Sequence, residues 1–527
     1  MRRCEFDSRQ VHNNMEKLLL VNKKDKVIGN ETKENCHQGK GVLHRAFSIY
    51  IFNDKDQLLI QQRSKFKPLW PFYWANTCCS HPRKGEEYIE AGERRLKEEF
   101  GFTCFLRMVD KFEYHARYKD VGSENEMCAI LVGEYNGKIK ADSKEIADWK
   151  WVHVDKLQND FKKNPNKYSP WLKIGLKRYS RIKQEEGKNK KELDLFLNET
   201  AAMVNPVIQE LLESYVDKRF HKLIDYQAST GGKKFRPALT IISCKLLGGK
   251  IKDVLYPASG LEVLHNSTLI VDDIIDHSQL RRNKPTVWFK FGQSVAECMG
   301  IDYLAAAFEG ANHSKKPAVI SEIFAETLKT IINGEILDIL FEQQGRQEEP
   351  YIVKNRYHKI TKQKYYEMIG RKTASLAQSC CKVGGICAGA SKKQLKILKD
   401  YGFNIGMAFQ IRDDVLDIFG NEKSFGKKIG KDIEERKLGN IVILFALAEL
   451  PKSEKEKIFK IIRKKEIKSK DIKEAIKLIK KTRAYEKACG LAEEFSAKAK
   501  KQLKLLPQNK WSKALESLAD FAIRREK

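Results

Sequence analysis

The sequence predicts two domains of different class, an α+β domain followed by an all-α domain. Three observations carry this. Residues 15 to about 155 read as short β-rich runs separated by turn residues. From about residue 193 nearly every segment has 3.6-residue periodicity. Between them lies SRIKQEEGKNKKE, charged and almost without apolar residues. The chain of 527 residues, 42 % of them hydrophobic, is too long for one ordinary domain and rich enough for two full cores. The boundaries expected are an N-terminal extension at 1–14, a first domain at 15–180, a flexible linker at 181–192 and a second domain at 193–527.

In the first half LLLVN, FSIYIFN, LLIQQR and MCAILVGEY read as strands, with NKKDK, NDKD and YNGK as turns. EYIEAGERRLKEEFG is the one helix that interrupts them, and Gly101 ends it as glycine often does. In the second half no strand-like run and no repeat with a 20–50 residue period is expected.

Twelve cysteines without a CxxC pair weaken zinc-ribbon and thioredoxin readings and suit reduced thiols in a cytoplasmic compartment. MRRCEFDSRQVHNN has a basic start but no apolar run behind it, so no cleavable leader is expected. No stretch approaches the length of a membrane span. The net charge of +29 draws heavily on residues 451–527, which hold 24 Lys+Arg against 11 Asp+Glu. Those lysines alternate with Ile and Leu at helical spacing, the pattern of a solvated helix face. Attraction to an anionic membrane surface or to acidic substrates ranks second. Specific nucleic-acid binding ranks last, because no aromatic-plus-basic cluster supports it.

The chemistry of the second half centres on two aspartate-rich turns. In LEVLHNSTLIVDDIIDHSQLRRNKPTV, Asp272 and Asp276 are one helical turn apart with Asp273 beside them. A single acidic helix end is commonly a surface feature. Here the pattern recurs in FQIRDDVLDIFG at Asp413, Asp414 and Asp417. Oxygen ligands at this spacing suit Mg²⁺ shared with substrate phosphates. Lys233 and Arg236 in GGKKFRP, Arg281 and Arg282, and Lys372 and Thr373 in GRKTASL supply the groups that a leaving diphosphate needs.

These motifs in this order, with a terminal FAIRREK, resemble the trans-isoprenyl diphosphate synthases over residues 195–527. The resemblance implies an all-α synthase fold and two Mg²⁺-holding aspartate motifs. It further implies head-to-tail condensation by ionisation of an allylic diphosphate. Lys233, Arg236, His265 and Arg282 would hold isopentenyl diphosphate. Arg281, Lys372, Gln410 and Lys427 would face the allylic substrate, with Lys437 closing the site although ERKLGN departs from the family's EGK-Thr pattern. Small residues at Ser267 and Thr268, just upstream of the first motif, disfavour a C15 stop. Geranylgeranyl diphosphate (C20) is the expected product, a C25–C50 chain the alternative. The family implies a homodimer through the helical domain.

In the first half TCCSHP (77–82) is compatible with half of a zinc site, a redox pair, or a nucleophile with its base. ENE offers Glu124 and Glu126 on one face of a strand. SHPRKGEEYIEAGERRLKEEFGF is similar to the Nudix box, with Glu86, Arg94, Leu96, Glu98, Glu99, Gly101 and Phe102 in register. Ser80 replaces its glycine and Arg95 one of its glutamates. These departures, with NCHQGKGVLHRAFSIYIF, WANTCCSHP, FEYHA, SENEMC and SPWLK, resemble the type I isopentenyl diphosphate isomerases over about residues 15–180. That resemblance implies a Nudix-like α+β fold with Cys79 as catalytic thiol and Cys78 as its packing neighbour. Glu126 and Tyr114 would share the proton chemistry, and Trp171 would face a tertiary cation. His37, His44, His81, Glu124 and Glu126 would bind Zn²⁺ or Mn²⁺. Glu99 with Mg²⁺, and Lys33, Arg63 and Lys67, would hold the diphosphate. Such an isomerase makes dimethylallyl diphosphate, the primer from which the synthase builds longer allylic diphosphates. The competing readings are one silent half serving as a docking module, or a basic scaffold.

Overall fold

A computed structural model describes residues 16–420 and 429–525. The expected extension at 1–14 and Lys427 lie outside these residues. The chain divides into two compact units, Met1–Gly187 and Lys188–Lys527.

The first unit is built on a nine-stranded sheet. Its centre is the strand His44–Phe52, whose run of buried side chains FSIYIF reads as a strand covered on both faces. It pairs in parallel with Gly122–Glu134, with His44 opposite Glu126 and Ser48 opposite Ile130. On its other side it pairs antiparallel with Cys78–Ser80, placing Cys79 opposite Ser48. The helix Tyr88–Phe100 ends on Gly101 at φ 72°, as the sequence implied. Two further helices, Lys33–His37 and Val154–Lys163, were not legible. The first is a single turn, which offers too few residues for a periodic pattern.

The segment 181–192 is not a flexible linker in structure. It lies inside one 44-residue helix, Pro170–Glu213. Its lysines and glutamates are strong helix formers, and Arg181–Glu185 and Lys188–Glu192 pair across one turn. Polarity all round such a segment matches solvated helix as well as coil, which is why composition alone misread it.

Among its described residues the second unit is helical apart from a short hairpin and an isolated bridge between Glu342 and Lys437. RRNKP turns back on itself as a two-stranded hairpin, Leu280–Arg281 against Lys284–Pro285, with Arg282 and Asn283 at φ 53° and 61°. The long helices Ile251–Ile275, Pro317–Leu340, Ser375–Cys387 and Lys392–Phe419 carry the core, in which Leu261, Leu264, Phe324, Val383 and Ile405 are fully buried. No described helix is long and apolar enough to cross a membrane.

Candidate active sites

In the first unit three histidine rings meet with centroids 4.9–5.4 Å apart. His37 ends the short helix, His44 begins the central strand and His81 follows Cys78–Ser80. Their ligand atoms and one oxygen each of Glu124 and Glu126 all lie within 4.8 Å of one another. The alternation of the Gly122–Glu134 strand delivers both carboxylates to this point. His44 Nδ1 and His37 Nδ1 donate to the carbonyls of Val42 (2.7 Å) and Lys33 (2.6 Å), which orients their Nε2 atoms inward. His44 Nε2 is buried without a hydrogen-bond partner. Three nitrogens and two carboxylates, with a buried lone pair left over, fit a divalent transition metal.

Cys79 stands close by. Trp171 Nε1–H donates to its sulfur at 2.9 Å, and its S–H donates to Asn76 Oδ1 at 2.9 Å. Burial pushes the thiol up to about 12, so it rests protonated. Tyr114 O–H donates to Glu126 Oε2 at 2.6 Å. Burial, then the charge of Glu124, raises the Glu126 carboxyl well above its ordinary range.

The expected diphosphate group is more dispersed. Arg63 donates to the carbonyls of Leu69 and Trp70, its guanidinium 5.2 Å from the Trp171 ring centre. Lys67 pairs with Glu145 and Lys33 with Glu16. Glu99 is not among the five clustered ligands. It accepts from Gln61 (3.2 Å) and pairs with Arg95, one of the two residues that depart from the Nudix box.

In the second unit both aspartate motifs line one cavity of about 660 Å³. Asp272 and Asp276 face it from the end of helix Ile251–Ile275, and Asp413, Asp414 and Asp417 from Lys392–Phe419. Asp273, expected to share the metal, does not line it. Its buried carboxylate receives Arg281 Nε at 2.9 Å. Asp414 is enclosed by donors: Tyr365 O–H at 2.8 Å, Ile441 N–H at 2.9 Å and Gln410 Nε2 at 3.1 Å. Thr373 in turn donates to Gln410 Oε1 at 2.8 Å. Lys233, Arg236, His265 and Arg282 line another side of the cavity, where burial and the neighbouring arginines hold His265 neutral.

The family models agree with this division. A polyprenyl synthetase model matches residues 217–479, and a NUDIX domain model matches residues 42–172. A geranylgeranyl diphosphate synthase of Saccharolobus solfataricus is 35 % identical over 345 residues, 64 % of this chain and 99 % of that protein. An isopentenyl-diphosphate Delta-isomerase of Serratia proteamaculans is 40 % identical over 157 residues, 30 % of this chain and 87 % of that protein. The chain belongs to the polyprenyl synthetase family, joined to a Nudix domain of the isopentenyl-diphosphate isomerase family. The crystal structure of a geranylgeranyl pyrophosphate synthetase from Pyrococcus horikoshii covers 64 % of the chain and 99 % of its own, at TM-score 0.57 and 31 % identity.

The polyprenyl synthetase site contains residues that the sequence reading missed. Glu335 and Asp338 receive Lys372 Nζ at 2.7 Å each. Lys431 reaches Glu435 at 2.8 Å, and Arg525 of the terminal FAIRREK reaches Asp413 at 2.5 Å. The i, i+3 spacing in NGEILD was the available signal for Glu335 and Asp338. Between the two motifs, Lys372 and Lys437 bring ammonium groups to carboxylates that the synthetase reading gives to Mg²⁺. Oxygen donors with replaceable cations among them suit that ion.

Proposed function

We propose that this chain converts isopentenyl diphosphate to dimethylallyl diphosphate in its Nudix domain and condenses the two in its helical domain, ending at geranylgeranyl diphosphate. One observation supports both halves of the reading. The first unit gathers three histidines and two glutamates beside Cys79, and the second gathers both aspartate motifs and their cations in one cavity.

In the isomerase domain His37, His44, His81, Glu124 and Glu126 would hold Zn²⁺ or Mn²⁺, with Glu99 reserved for Mg²⁺ beside the diphosphate. In the helical domain Asp272, Asp276, Asp413 and Asp417 would hold Mg²⁺. When bound, these ions neutralise diphosphate charge and fix its orientation. Cys79 and the Tyr114–Glu126 pair are the groups between which a proton is added at C4 of the substrate and another removed from C2. The bond count balances, because one proton enters and one leaves. Trp171 holds the Cys79 sulfur and walls the site against water.

In the helical domain Lys233, Arg236, His265 and Arg282 would grip isopentenyl diphosphate. Lys372, Thr373 and Gln410 would orient the allylic partner. The small residues Ser267 and Thr268 support a product beyond C15.

The test is to supply the purified chain with labelled isopentenyl diphosphate, Mg²⁺ and Zn²⁺ or Mn²⁺, without allylic primer, and to size the products. Geranylgeranyl diphosphate is expected. Product only after dimethylallyl diphosphate is added would refute the isomerase assignment. Farnesyl or C25–C50 chains would refute the length.

A further inference from the structure

We infer that Arg436 is a positioning residue for elongation: its guanidinium clamps the turn that carries Lys431, Glu435 and Lys437 onto the lysine-rich helical hairpin behind the synthetase cavity. The inference rests on the elongation reading above and gives a role to a residue that does not itself line the cavity.

Arg436 falls where ERKLGN departs from the EGK-Thr pattern, arginine in the glycine position. Its backbone stands at φ 62°, in the left-handed region that glycine enters freely and other residues only against Cβ crowding. Contacts outside the residue have to hold such a conformation. Arg436 Nε donates to the Lys464 carbonyl at 3.2 Å, and Nη2 to the Lys465 carbonyl at 2.8 Å. Both acceptors lie in the turn between helices Lys452–Ile462 and Ser469–Ile479. A planar fork that reaches two carbonyls at once fixes direction as well as distance.

The other end of the turn docks on the same hairpin. Gly430, at φ 77°, packs so closely on Ile472 that a Cβ there would stand 2.4 Å from Cγ2 of the isoleucine. Between these two anchors Lys431, Asp432, Glu435 and Lys437 line the cavity. The backbone is pinned as well. Gln343 N–H donates to the Arg436 carbonyl at 3.0 Å, and Lys437 N–H to the Asp432 carbonyl at 2.8 Å. Gln343 lies just beyond helix Pro317–Leu340, which carries Asp338. Arg436 thus joins the hairpin, through its side chain, to the end of the Asp338 helix, through its carbonyl. Lys437 is next in the chain and reaches Asp276 and Asp338 at 3.1 and 3.2 Å. A rotation of the turn would carry its ammonium group off both.

The experiment measures elongation from supplied dimethylallyl and isopentenyl diphosphates with Mg²⁺, together with melting, for the natural chain, Arg436→Gly and Arg436→Lys. Glycine keeps the left-handed turn and removes the clamp. That variant should melt with the natural chain while its kcat falls about 10²-fold, the scale of a group misplaced near the chemistry. KM for isopentenyl diphosphate should hold, since Lys233, Arg236, His265 and Arg282 are untouched. Lysine, with one ammonium group for two carbonyls, should restore part of the rate. A natural kcat in Arg436→Gly would overturn the clamp. So would a loss of kcat matched by a drop in melting, the mark of a merely structural role. If the glycine variant does not fold, Arg436→Asn, which also tolerates the left-handed region and is too short to reach the hairpin, is read the same way. No elongation by the natural chain would refute the elongation reading itself, a result distinct from natural elongation with an unmoved variant.

Discussion

Lys437 Nζ lies 3.1 Å from Asp276 Oδ1 and ties the last carboxylate of the first aspartate motif into the wall of the synthetase cavity. The same ammonium group is 3.2 Å from Asp338 and 3.0 Å from Glu435. Three carboxylates thus share one buried cation, which is how acids of one charge can face each other without metal.

Replacing Lys437 with alanine should therefore destabilise the metal-free chain. Removing one partner of a buried pair costs about 3–5 kcal/mol, and here Lys372 and Lys431 remain to soften the loss. Melting with and without Mg²⁺ checks it: the variant should melt lower than the natural chain and recover more on adding Mg²⁺. Equal melting without Mg²⁺ would contradict the shared-cation account.

Cys79→Ser should abolish product formation from isopentenyl diphosphate alone, by about 10²–10⁴-fold. Added dimethylallyl diphosphate should restore elongation to the natural rate. A variant that still works without primer would remove Cys79 from the chemistry.

Gly334 packs against the backbone of the π-helical turn Gly370–Ala374, which carries Lys372 and Thr373. A Cβ at Gly334 would stand 2.3 Å from Lys372 N and 2.7 Å from its Cα. Backbone cannot yield cheaply, so Gly334→Ala should cost about 1–3 kcal/mol and displace both side chains. Elongation should fall while isomerisation, assayed in the same preparation, is unchanged.

His44→Ala should lower the transition-metal content of the chain, read by elemental analysis, together with isomerase activity. Elongation from supplied primer should be untouched. Full metal content in this variant would separate the histidine ring from metal binding.

Acid should weaken the isomerase domain through Asp25. Burial pushes its carboxyl up, but hydrogen bonds from Lys111 (2.6 Å) and Arg45 (2.8 Å) outweigh this and hold it below the ordinary 3.8. A group whose folded value is lowered stabilises above the unfolded value and loses that contribution as pH falls through the folded one. Urea midpoints should thus decline more steeply below pH 3.8 in the natural chain than in Asp25→Asn.

How far the sequence could be read depended on whether a function was written locally. DDIID and FQIRDDVLD carry their spacing within one helix turn, and both reach the cavity. ENE likewise carried its meaning in strand alternation. Asp273 illustrates the limit: helix spacing sets it off the face shared by Asp272 and Asp276, but its partner Arg281 comes from the hairpin, which no local pattern announces. The role of Arg525, 112 residues after Asp413 (525 minus 413), depends on a packing contact that no local pattern announces. The charged stretch at 181–192 was misread because solvated helix and coil share a composition.

His44 and Glu126 are register partners in parallel strands although 82 residues separate them (126 minus 44). Parallel pairing forms no local turn, so the chain must close that whole loop before the two side chains meet. The ligand ring consequently exists only in molecules whose central sheet is complete. An ion held there would bind the folded domain and not the unfolded chain, so it would shift the folding balance towards the finished sheet.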